Sequence, residues 1–134
     1  MERVKYHRRL MQLLYVILIF AVGAVGIVLL VAPSAALSFM GFPAQEPMLS
    51  GVVYSMWLAL AILSIGGLRS PLKYAPVLLM ALTYKSVWLL AVILPNMISG
   101  TLPSFIIPTA IEWVLIVAVV AFVIPWKYMF TKSN

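Results

Sequence analysis

Four apolar runs constrain this chain more than any other feature: Leu10–Val31, Met48–Leu68, Tyr74–Leu94 and Phe105–Ile124. Each holds about 20 residues, and a helix of that length rises about 30 Å, the thickness of a bilayer's hydrocarbon core. In hydrocarbon every backbone N–H and C=O must be bonded within the segment, so the runs are predicted to be helices. They show no alternation of apolar and polar residues, which argues against a β-barrel. Composition agrees, because 65% of residues are hydrophobic and only 9% charged, against about a quarter charged in a soluble domain. The reading is therefore all-α: an integral membrane four-helix bundle forming a single transmembrane domain over residues 1–134, with spans at about 10–31, 48–68, 74–94 and 105–124.

The first run follows a basic segment and precedes small residues, as a secretory signal would, but it exceeds the roughly 7–15 apolar residues of a signal core. Basic residues set the orientation. Arg3, Lys5, Arg8 and Arg9 precede the first span, Arg69 and Lys73 join the second to the third, and Lys127 and Lys132 follow the fourth. The other two connections, Ala32–Pro47 and Pro95–Ser104, carry no Lys or Arg. The positive-inside rule then makes both termini cytoplasmic, in a cell's inner membrane. Tyr6, Tyr74, Trp126 and Tyr128 would be anchors at that interface. The first connection contains Leu37, Phe39, Met40 and Phe42, which predicts a short helix lying on the outer surface. Arg69–Lys73 is short, so the second and third spans are expected to be antiparallel neighbours.

The net charge of +6 is assigned to loops facing anionic lipid rather than to nucleic acid. With no Cys, no Asp and one His, the chain cannot assemble an ordinary metal site, and no cofactor is expected. The charged residues inside the spans are Lys85 and Glu112. An ionisable group at mid-bilayer costs roughly 2.5–3.5 kcal/mol on insertion scales, so Lys85 should face the interior and have a partner. By helix rise the two lie at similar depths, and an ion pair between them is the leading expectation. It would either fix packing or form a functional site. Alternatively Thr109-Ala-Ile-Glu112 is a capping box, with Glu112 bonded to the Thr109 N–H after a helix restart at Pro108.

Tyr54, Trp57, Trp88 and Trp113 fall at a similar depth. They are read either as walls of a small-molecule cavity above Lys85 and Glu112, in the outer halves of spans two, three and four, or as interface anchors. Gln12, Tyr15, Ile19, Gly23 and Gly26 form one helical stripe. Gly23, Gly26, Gly66 and Gly67 permit close helix contacts, within the chain or between copies.

Ala32-Pro33 with Phe39-Met-Gly-Phe-Pro43, Gly66-Gly67 before Arg69, and Pro76 with Tyr84-Lys-Ser-Val-Trp-Leu-Leu90 make the chain similar to small bacterial DoxX-like membrane proteins. The resemblance implies a four-helix bundle of the cytoplasmic membrane. The group takes its name from a quinone-linked oxidoreductase subunit; no set of redox ligands accompanies those motifs here. Three functions remain open. The first is a non-catalytic accessory subunit, or a binder of a lipid-like or quinone-like molecule, with membrane lipid as partner and a homo-oligomer or larger membrane complex as its setting. The second is a small dimeric proton-coupled transporter using Glu112. The third is an intramembrane isomerase or lipid-modifying enzyme in which Lys85 polarises a carbonyl, the least supported because so few catalytic groups are present.

Overall fold

The computed structural model describes residues 6–131. Arg3, Lys5 and Lys132 lie outside the described residues. The described chain is helical, with no strand. Helix α1 spans Arg8–Val31, α2 is the short Pro33–Phe39, α3 is Pro47–Arg69, α4 is Ala75–Ile98, α5 is Ser104–Val123 and α6 is the short Trp126–Phe130. α1, α3, α4 and α5 are long and apolar enough to cross a membrane. Their sides carry many large exposed hydrophobic residues, among them Phe20, Ile62, Leu115 and Phe122.

Helix ends follow local chemistry. Proline stands in the first turn of α2 and α3 and near the start of α4, where its missing N–H would have no helical partner. Glu46 caps α3: its carboxylate accepts from the N–H of Met48 at 2.8 Å and of Leu49 at 2.7 Å. α2 and α4 end on glycines with left-handed backbone, Gly41 (φ 75°) and Gly100 (φ 70°). In both turns the paired bonds of a Schellman motif form, Gly41 N–H to Ser38 with Phe42 N–H to Leu37, and Gly100 N–H to Met97 with Thr101 N–H to Asn96. Within the helices the hydroxyls of Ser55, Ser64, Thr83 and Ser86 donate to the carbonyl four residues back, so these four hydroxyl hydrogens are not stranded among apolar neighbours.

The third long helix differs from the sequence reading. It does not stop before Pro95 but continues to Ile98. Residues Leu89–Ile93 form a π-helical stretch just ahead of the proline. A wider turn there relieves the clash between the proline ring and the preceding turn. Asn96 Nδ2 donates to the Val92 carbonyl at 2.7 Å, satisfying one acceptor in the disturbed turn.

α1 packs along α3, α4 packs on α5, and α3 and α4 meet mainly near their connection. The α1–α3 contact is close because of small residues. A Cβ on Gly23 would lie 2.6 Å from that of Ala61, and one on Gly26 would lie 3.1 Å from the Tyr54 carbonyl oxygen. The glycine stripe therefore serves packing within the chain. Tyr15 is fully buried over Gly67 and donates to the Pro71 carbonyl at 2.8 Å; Gln12 donates to Leu68 at 3.0 Å. These bonds tie α1 to the α3–α4 turn at the end that carries Arg8, Arg9, Arg69, Lys73 and Lys127, called here the basic end. The main core gathers there, around Met11, Leu14, Tyr15, Leu78, Val120 and Val123. A smaller core under α2 joins Leu29, Ala36, Leu37 and Tyr54.

Candidate functional site

Lys85 lies near the middle of α4 and is 2% exposed. Its Nζ donates to the Tyr84 hydroxyl at 2.7 Å and sits 4.0 Å from the centre of the Trp113 ring. The expected ion pair with Glu112 is not formed: no Lys–Glu approach reaches 4.0 Å among the described residues. A neutral phenol oxygen and the negative face of an indole hold the ammonium instead. The capping box is also absent, because α5 begins earlier, at a tight turn from Ser104 to Ile106, and has no side-chain cap. Glu112 is exposed.

Trp113 is the hub of the aromatic residues. Its ring lies 4.6 Å from Trp88, 5.6 Å from Tyr84 and 6.4 Å from Trp57. The Tyr84 and Trp57 pairs are edge-on, the arrangement that aromatic quadrupoles favour. This cluster separates two cavities. The first, about 300 Å³, lies between α1 and α5 with α4 behind it; Lys85, Glu112, Tyr84 and Thr109 are its polar lining, and Leu14, Leu18, Leu78 and Val120 line its apolar part. The second, about 800 Å³, lies between α3 and α4 and is lined by Trp57, Trp88, Trp113 and apolar side chains, with Thr83, Tyr84 and Thr109 as polar members. Trp57, Tyr84 and Trp113 border both.

The sequence reading placed one aromatic cavity among spans two, three and four. The structure instead divides the features: the charges face a cavity walled by the first and fourth long helices, and Trp88 faces only the second cavity. Tyr54 lines neither; it is buried under α2 and meets Trp57 at 5.9 Å. Two residues were not anticipated. Tyr84 is the partner of Lys85, a pairing hidden by the rule that adjacent helical residues point apart. Phe42 reaches both cavities from the connection after α2 and meets Phe105 edge-on at 5.5 Å. Its place follows from the Gly41 turn, which was legible as a glycine after an apolar segment.

Among the described residues no three His, Asp or Glu side chains gather as metal ligands would. Comparison with known protein families, characterised proteins and solved structures finds no match. What the site offers chemically is a buried ammonium with donor capacity beyond its one phenol bond, next to an apolar cavity and a nearby carboxylate.

Proposed function

We propose that this chain is a four-helix bundle of the cytoplasmic membrane, with both termini cytoplasmic, that binds an amphipathic lipid-like or quinone-like molecule without turning it over. The reading rests on one observation: Lys85, 2% exposed, borders a cavity of about 300 Å³ while its only hydrogen-bond partner among the described residues is the neutral Tyr84 hydroxyl. An ammonium has three donors. A carbonyl, quinone or carboxylate oxygen in the cavity would accept one of them, and the apolar lining would take the rest of the molecule. Kinship with DoxX-like proteins is part of this proposal, supported by the Tyr84–Leu90 segment that supplies both the ammonium and its phenol.

The test uses the protein in phosphatidylcholine nanodiscs titrated with decylbenzoquinone, read by tryptophan quenching. A hydrogen bond from a charged donor is worth about 1.5–3 kcal/mol, so Lys85→Met is expected to weaken binding roughly 10- to 100-fold. Equal affinity for both proteins overturns the reading. A proton-coupled transporter is the second reading, favoured by the exposure of Glu112 beside the cavity. It requires a pH gradient to drive cationic dye into proteoliposomes, with the activity lost in Glu112→Gln.

A further inference from the structure

We infer that the gap between α1 and α5 is a lateral portal, through which an amphiphile dissolved in the membrane brings its polar head to Lys85 while its apolar chain lies along the gap. The inference deepens the ligand-binding reading and rests on it for the identity of the head group.

Three observations converge. First, α1 and α5 make their main contact at the basic end. There Leu14 and Leu18 share a core with Val120 and Val123, and His7 stacks on Phe122 at 5.5 Å. Farther along, the two helices diverge and the cavity occupies the space between them, from Leu14 to Val25 on one side and from Thr109 to Val120 on the other. Each edge is about 16 Å long by helix rise, enough for an extended hydrocarbon chain. Second, the cavity's far end is covered. Met40 and Phe42 line it there, and Phe42 meets Phe105 at the start of α5. A water-dissolved molecule coming from that end would meet this cover, whereas the side toward lipid is flanked by the exposed residues Ala21, Leu115 and Val119. Third, the polar groups are unevenly placed. Thr109, Glu112, Tyr84 and Lys85 lie toward the covered end, and the lining near the basic end is wholly apolar, with Leu14, Leu78 and Val120. A molecule with one polar head and one apolar chain matches that division, with its chain pointing toward the basic end. A slot open to hydrocarbon along its length favours such a chain over water, since its walls offer few hydrogen bonds.

The experiment asks whether lipid chains reach Trp113, which lines the cavity behind the gap. Trp57→Phe, Trp88→Phe and Trp126→Phe together leave Trp113 as the sole indole. The protein is reconstituted in vesicles of phosphatidylcholine brominated on its acyl chains, since bromine quenches an indole on contact. Strong quenching is expected. Filling the gap with Ala21→Phe and Leu115→Phe should remove most of it, while Met80→Phe with Val87→Phe, in the second cavity, should leave it. Quenching that survives gap filling, or that is removed from the α3–α4 side, overturns the portal. If the triple tryptophan variant does not fold, the same comparison is made with all four tryptophans, reading the fall in total quenching. The outcome is independent of Lys85: a portal result with normal quinone binding in Lys85→Met removes the ligand reading alone, and the reverse pattern removes the portal alone.

Discussion

At the scale of single residues, the centre of the molecule is a cation held without a counter-ion in contact among the described residues. The ammonium of Lys85 depends on the Tyr84 oxygen and the Trp113 face. Removing the oxygen while leaving the charge should be costly, because a buried charged donor then lacks its acceptor. Tyr84→Phe is expected to lose about 1.5–3 kcal/mol of stability, measured by unfolding in detergent. Lys85→Met should be nearly neutral or stabilising, since a well-packed apolar side chain escapes the desolvation cost. The double variant should recover most of the Tyr84→Phe loss. Recovery in Lys85→Met with Glu112→Gln but not with Tyr84→Phe would restore the ion pair as the structural unit. The sequence made Lys85 visible, because a lone charge in the middle of an apolar run stands out. Its partner was not visible, since helical neighbours ordinarily point apart and only two long side chains curling together bring Tyr84 within 2.7 Å.

At the scale of elements, the ends and contact faces of the helices carry separate predictions. The N–H groups of Leu49 and, next, Met48 hold the Glu46 carboxyl below its ordinary pKa of 4.5. A depressed folded-state pKa means that the cap contributes at neutral pH and is lost as pH falls through that lowered value. Hydrogen-exchange protection factors of the first turn of α3 should therefore drop in acid below pH 4.5, and Glu46→Ala should lower them at neutral pH and flatten the dependence. A first turn insensitive to both changes would show that the cap is not what holds it. The α1–α3 contact is tested by Gly23→Ala. The new methyl would lie 2.6 Å from that of Ala61, so the helices must separate, at a cost of roughly 1–3 kcal/mol. Gly51→Ala, which meets open space, should instead be neutral or stabilising by up to about 1 kcal/mol. Equal effects at the two positions would mean that the close approach does not hold α1 to α3. Helix limits were legible from the apolar runs to within a few residues. The exception is the end of α4, where Pro95 reads as a stop but the π-helical turn before it lets the helix continue.

At the scale of the whole molecule, the proposed orientation can be read directly. The chain has no cysteine, so single cysteines report position without background. Gln45→Cys and Ser99→Cys should react in intact cells with a maleimide that cannot cross the membrane, and Ser70→Cys only after the membrane is opened. The opposite pattern inverts the orientation, and with it the leaflet in which Lys85 and the gap beside it are reached.

The sequence by itself determined how many long helices form, where they begin and end apart from the far end of α4, and which of their ends carry the positive charge. These are local properties: an apolar run of about 20 residues must bond its own backbone in hydrocarbon, and basic residues stay in the connections. It also showed that Lys85 and Glu112 are out of place in such runs. Only the tertiary structure decided what surrounds them. In a soluble helix an apolar stripe announces the buried face, but these helices are apolar on every side, and pattern cannot say how each is rotated. Rotation and spacing were set by contacts between helices, such as Gly23 and Gly26 against α3 and Tyr15 over Gly67. Those contacts close the basic end, leave a cavity between α1 and α5 beyond it, and set Lys85 and Glu112 on that cavity with the ammonium bonded to a phenol rather than to the carboxylate.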